Sequence, residues 1–188
     1  MSRAARRAQV LDLAEALFAQ QGYHHVAMDD IADRAEVSKP VLYRHFPGKL
    51  DLYLAVIDRL SGRLLAAVDA HAGRELAEAL TRGFLDFVEA SDGTYALLLE
   101  SDVTHDEAVR DRVEYALAEL VRRATVRITA AAGRPDPAAA LAASGIVRLA
   151  ATLAVHRHRV GAPDVATAAT LGTALVDAAL AATAPSAP

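Results

Sequence analysis

Between Met28 and Leu50 the chain reads MDDIADRAEVSKPVLYRHFPGKL, and no other stretch restricts the possible folds as much. Ile31, Ala32 and Ala35 recur at i, i+1 and i+4, the apolar stripe of a short helix over Met28–Ala35. Glu36-Val37 makes a turn. Ser38 follows, placed so that its hydroxyl can cap a second helix by accepting a hydrogen bond from a free N–H. Pro40 falls in that helix's first turn, where a missing N–H costs nothing. Val41, Leu42 and Phe46 give the second helix its buried side. Two helices this short cannot bury their stripes against each other alone, so a third must pack across them. The pattern predicts a helix-turn-helix, whose second helix projects into the DNA major groove.

The charges fit that geometry. The only lysines of the chain, Lys39 and Lys49, both fall here. Each lies at the start of an expected helix, where free N–H groups and the positive dipole end suit a phosphate. Tyr43, Arg44 and His45 complete a donor-rich face beside the apolar one. The plain alternative is a solvated helix surface with incidental lysines.

At these residues the chain resembles a known family. IADRAEVSKPVLYRHFPGKLDLY is similar to the signature of TetR-type transcriptional regulators, closely over residues 6–60 and in helical plan beyond them. The resemblance implies an all-α homodimer: a three-helix DNA-binding domain over residues 1–48, and a larger helical effector-binding and dimerisation domain over 49–188. It also implies that Ser38, Lys39, Tyr43, Arg44, His45 and Lys49 meet double-stranded DNA, with Lys39, Pro40 and Tyr43 nearest the base edges. A dimer would set two recognition helices about 34–36 Å apart on a near-palindromic operator. Two departures stand out. Ala27 replaces the family's usual threonine and loses a capping hydroxyl. Glu36 stands where the turn often has glycine, so the turn must tolerate a side chain.

Composition agrees with helices. Hydrophobic residues make up 53%, much of it alanine, and only 5% is aromatic; alanine has the highest helix propensity. The absence of cysteine excludes disulfides and thiolate metal sites and suits a reducing cytoplasm. A net charge of −4 argues superficially against DNA, but it is unevenly spread. Residues 1–50 hold seven Lys+Arg against six Asp+Glu, a net of +1, and the remainder carries −5. Affinity for a polyanion must therefore come from local placement and from doubling in a dimer. Asp12 and Glu15 interrupt any signal-like apolar run after Arg3, Arg6 and Arg7. Uncharged stretches such as Val165–Val176 fall short of the about 20 residues a bilayer span needs. No membrane association is expected.

The rest of the chain reads as helices. Ser2–Gln21 carries apolar rows at Val10, Leu13, Leu17 and Leu11, Ala14, Phe18, and Gly22 is its stop. After Pro47-Gly48 a helix runs from Lys49 towards His71 with Leu50, Leu54, Ile57 and Leu64 inward, a mechanical link between DNA and effector; Gly62 is a loosening point. Glu75–Ala90 and Tyr95–Leu99 follow. Thr104-His-Asp-Glu107 is a capping box opening a helix to Ala132, which Gly133–Pro137 ends. Two alanine-rich helices, Ala138–His158 and Pro163–Ala182, present Leu141, Gly145, Leu149, Thr152 and His156, and Leu171, Gly172, Leu175, Ala179 and Leu180. Such faces can pack against a two-fold mate in a four-helix bundle. The Ala-Pro-Ser-Ala-Pro tail is expected to be unstructured.

Catalytic signatures are missing. There is no phosphate-cradling glycine loop; His156 and His158 point to different sides of a helix, and no nucleophile has a base at suitable spacing, so neither enzyme activity, metal nor cofactor is expected. By the family's plan, Phe84, Phe87, Val88, Tyr95, Leu98, Leu99, Val113, Leu117, Leu120, Leu149 and Leu153 would surround an effector, although each is equally a core residue. The apolar lining favours a greasy small molecule. SKPVLYRHFPGKLDLYLAV and Gly93–Asp102 are also similar to actinobacterial regulators of fatty-acid synthesis, a subgroup resemblance that implies long-chain acyl-CoA; Arg82, Arg122, Arg123 and Arg148 are the cations available to its phosphates. An alternative function is an all-α lipid-binding or interaction module without DNA activity, suggested by Ala27, Glu36 and the weak basicity.

Overall fold

The computed structural model describes residues 2–101, 103, 106–132 and 138–182. These are helical, with no strand among them: α1 (Arg3–Gln21), a 3-10 turn (Tyr23–His25), α2 (Met28–Arg34), α3 (Lys39–His45), α4 (Lys49–Asp69), α5 (Leu76–Ala90), α6 (Ala96–Leu99), α7 (Glu107–Ala132), α8 (Ala139–Val160) and α9 (Val165–Ala181). Packing divides the chain into two compact units, Met1–Ser61 with Gly93–Val113, and Gly62–Asp92 with Glu114–Pro188. The division falls inside α4 and inside α7, so each of these helices contributes to both units. This division by packing is distinct from the functional boundary expected after residue 48, and the first half of α4 packs with the first unit.

In that unit α1 is started by Ser2, whose hydroxyl accepts from the Ala5 N–H at 3.1 Å, and stopped by Gly22 at φ 79°. Val10, Leu11, Ala14, Leu17 and Phe18 are buried with Ile31 and Ala32 of α2, Leu42 of α3 and Phe46 behind it. Tyr53 of α4 is fully buried, edge-on to Phe18 at 5.1 Å and tilted on Tyr23 at 4.8 Å. The apolar stripe of α4 is thus Leu52, Tyr53, Val56, Ile57, Leu60 and Leu64, all completely buried. Leu50 and Leu54, expected inward, are only half-buried. The helix is apolar on more than one side, and the aromatic cluster selects which side faces in. Gly62 does not loosen it; α4 is unbroken through that position.

One carboxylate is buried in the same core. Glu15, 5% exposed, pairs with Arg59 of α4 and accepts from the Thr94 hydroxyl at 2.7 Å. Arg59 also binds Asp12 at 2.5 Å and the Leu11 carbonyl at 3.0 Å. These bonds tie α1 to α4 and to the turn before α6. Asp106 caps α7, its Oδ1 accepting from the N–H groups of Ala108 at 3.0 Å and Val109 at 3.3 Å. The expected cap Thr104, with His105, lies outside the described residues, as do Asp102, the Gly133–Pro137 stop and the C-terminal tail.

The second unit is built on close approach between helices. A Cβ at Gly83 of α5 would sit 2.6 Å from the Val68 backbone, and one at Gly172 of α9 would sit 2.7 Å from Thr81. Leu80, Phe84, Phe87 and Val88 of α5 are buried, as are Ala143, Ile146, Val147 and Ala150 of α8 and Ala169 and Val176 of α9. Arg123 of α7 reaches Asp69 at 2.7 Å, and Arg157 of α8 pairs with Glu89 of α5. The outward sides of the last two helices remain apolar: Leu141 is 78% exposed, Leu171 55% and Leu175 51%. The uncharged stretches are short, as expected, but α8 is 22 residues long and an 18-residue window of it, interrupted only by Arg148, reaches a mean hydropathy of 1.5. It buries one side against α5 and α9 within the unit, as a core helix does.

Candidate nucleic-acid interface

The first unit carries a surface of cations on a tightly packed support. α2 begins at Ala27, which has no side-chain oxygen to offer. Asp30 supplies half of a capping box instead, its carboxylate accepting from the Ala27 N–H at 3.1 Å. The turn between α2 and α3 is made by Glu36 at φ 51°, the left-handed region that glycine enters freely, so a side chain is tolerated only at a cost in strain. Ser38 does occupy the position before α3, but its hydroxyl makes no capping bond; its carbonyl accepts from Val41 and Leu42 at 2.9 and 3.1 Å. The expected side-chain cap is therefore corrected, and the Ser38 hydroxyl lies exposed at the surface.

From that start α3 turns Leu42 inward and leaves Lys39, Pro40, Tyr43 and Arg44 exposed. Tyr43 is 44% exposed and the Lys39 side chain 59%. Lys39 is held by Asp29 of α2 at 2.7 Å, and this partner raises its ammonium above the ordinary lysine value. Such an exposed pair is weak, so a phosphate can displace it. Lys49, half-buried at the start of α4, donates to the Tyr23 carbonyl at 3.0 Å and lies over the Tyr23 ring at 4.5 Å. These contacts fix the ammonium beside α3.

A second cluster forms at the far end of α3. Arg7 of α1 stacks over the Phe46 ring at 4.8 Å. His45 is half-buried; this burial, then the nearby charges of Arg3, Arg44, Arg7 and Arg6, lower its pKa below the usual histidine value. The arginines of α1 are therefore gathered around the recognition helix. Three residues that the sequence reading did not single out lie beside this surface. His24, His25 and Asp29 line, with Val26, Ala27, Met28, Tyr43 and Lys49, an open hollow of about 420 Å3. The His-His pair after Gly22-Tyr23 was the available signal.

The expected effector residues are divided between the units. Tyr95, Leu98, Leu99 and Val113 belong to the first; Phe84, Phe87, Val88, Leu117, Leu120, Leu149 and Leu153 belong to the second. Phe84, Phe87, Val88, Tyr95, Leu98 and Leu120 are buried; Leu99, Val113, Leu117, Leu149 and Leu153 are half-buried. Leu153 lines a hollow of about 160 Å3 with Thr81, Leu85, Leu171 and Leu175. Leu120 lines another of about 140 Å3 with Val68, Leu76, Arg123 and Arg127.

A buried three-helix support with an exposed, cation-bearing second helix defines a helix-turn-helix protein with an all-helical body. Residues 10–56 match the family model described as "Bacterial regulatory proteins, tetR family". The HTH-type transcriptional activator FasR of Mycolicibacterium smegmatis is 40% identical over 121 residues, 62% of this chain and 55% of FasR. The HTH-type transcriptional repressor KstR of Mycobacterium tuberculosis is 39% identical over 67 residues, 36% of this chain and 30% of KstR. The chain thus spans about half the length of one of these curated relatives and less of the other. A TetR-like transcriptional regulator from Rhodococcus sp. RHA1 superimposes with a TM-score of 0.78 at 29% identity, covering 96% of this chain and 98% of that one. Over residues 10–56 the chain is thus similar to the DNA-binding module of TetR-type regulators, and the relatives named here are transcriptional regulators.

Proposed function

We propose that the chain is a dimeric DNA-binding transcriptional regulator of the cytoplasm, reading a near-palindromic operator through α3 and released or engaged by an apolar small molecule. One observation carries the DNA reading: Lys39 and Tyr43 stand exposed on α3 while Leu42 and Phe46 anchor its other side. Tyr43, Arg44, His45, Lys49 and the Ser38 hydroxyl then meet phosphates, and Lys39, Pro40 and Tyr43 lie nearest the bases. For the effector, the support is the apolar character of the buried residues in both units and the resemblance of the chain to regulators of fatty-acid synthesis, which makes long-chain acyl-CoA the first ligand to try. One relative is an activator and the other a repressor, so either sign of regulation is compatible with the family.

The test is selection of bound duplexes from a random pool, with and without acyl-CoA of graded chain length. A recovered near-palindrome whose retention weakens with salt supports the reading. Recovery of no sequence, alongside tight lipid binding, would replace it with a lipid-binding module. Within the recovered complex, Lys49→Ala lowers affinity for all sequences alike and reduces the slope of log K against log salt by about one.

A further inference from the structure

We propose that the hollow between the Tyr23–His25 turn and α3 seats a backbone phosphate of the bound duplex, and that His25, with His24 beside it, holds it only when protonated. The inference rests on the DNA reading above and adds to it a pair of binding residues and a proton.

The tautomer of His25 carries the argument. Its Nδ1 lies 3.1 Å from the Gln21 carbonyl oxygen. A carbonyl only accepts, so Nδ1 bears the hydrogen. In the neutral ring Nε2 is then a lone pair, which repels a phosphate oxygen; in the imidazolium it is a second N–H, which binds one. Phosphate contact through Nε2 thus requires uptake of one proton. His24, exposed beside it, rests edge-on against the Tyr23 ring at 5.3 Å and lines the same hollow.

The surrounding charges favour an anion there. From α4, Lys49 places its ammonium on the wall, fixed by Tyr23. From α3 comes the Tyr43 side chain. From α2 comes Asp29, the carboxylate of the lining, paired with Lys39 at 2.7 Å in the free protein and left facing the hollow when Lys39 turns to DNA. From the start of α7, Asp106 acts on the Tyr23 hydroxyl, which burial and that carboxylate hold above the usual phenol value. The hollow therefore presents one carboxylate, one anchored lysine and two histidines. At about 420 Å3 it has room for a phosphate group with its first water shell.

Because a backbone phosphate is present at every step of any duplex, the probe is a labelled mixed-sequence duplex of about 30 base pairs, titrated by anisotropy at constant ionic strength from pH 8 to pH 6. Wild-type affinity should rise by about threefold or more across that range. In the His24→Gln/His25→Gln variant most of the rise between pH 8 and pH 6 should vanish; His45→Gln, measured alongside, separates the share owed to the arginine cluster. Affinity flat with pH in the wild type, or a full rise retained in the double variant, overturns the proposal while leaving DNA binding intact. No binding of any duplex at any pH overturns both. Circular dichroism at each pH confirms that all three proteins stay folded over the range compared.

Discussion

Glu36 holds a conformation that its side chain disfavours. At φ 51° it closes the turn between α2 and α3, and non-glycine residues in this region cost about 1 kcal/mol or more. Glycine removes that strain and gives back part of the gain through a freer unfolded chain. Glu36→Gly should therefore stabilise the protein by about 0.5–1 kcal/mol, read as a rise of about 1–4 °C in melting temperature. His45 makes a different claim. Its pKa is lowered in the fold by burial and by Arg3, Arg44, Arg7 and Arg6, so the unfolded chain takes up this proton first as pH falls. Unfolded chains then bind more protons than folded ones, and stability drops with acidification below the ordinary value of about 6.5. Urea melts at pH 7.5 and 5.5 should show a smaller loss in His45→Gln than in wild type. Phosphate bound to the same face reverses the sign, because it favours the imidazolium.

At the level of elements, the helix order and most ends were legible because start and stop signals are local. Ser2, Gly22 and Pro40 act within a turn of where they stand. The register of α4 was not. Its sequence LDLYLAVIDRLSGRLL offers apolar residues on several sides, and the inward one is chosen by Phe18 and Tyr23 of other segments. Glu15 was equally invisible, since a carboxylate within an amphipathic helix reads as solvated until its partner is known. That partner, Arg59, is 44 residues away. Of the candidate interface, α3 with Lys39 and the start of α4 with Lys49 could be read directly, whereas the hollow with His24 and His25 depends on how the turn after α1 folds back. The Glu15–Arg59 tie has a measurable cost. Arg59→Met strands a carboxylate that is 5% exposed and should lose about 3 kcal/mol in urea unfolding. Glu15→Leu/Arg59→Met replaces both charges with apolar groups and should recover most of the loss. A single variant as stable as wild type would show that water reaches Glu15.

For the whole molecule, charge sets the limit. The first 50 residues carry a net of only +1, and affinity for DNA grows with the number of phosphates a protein neutralises. A lone head of this kind has few cations to spare, since Lys39 must first leave Asp29. Joining two heads turns the second contact into an intramolecular one and raises affinity without new chemistry. The dimer proposed above would join through the apolar outer sides of α8 and α9 in the second unit, where Leu141, Leu171 and Leu175 are more than half exposed. Placing a charge in such a two-fold contact sets like charges against each other across the axis. Leu171→Glu/Leu175→Glu alters only exposed positions, so the helical circular dichroism should be unchanged. Sedimentation should then show monomers where the wild type gives dimers, and affinity for the selected palindrome should fall by about a hundredfold or more. A variant that remains dimeric would move the subunit contact to another face, and a monomer that keeps full affinity would remove the need for one.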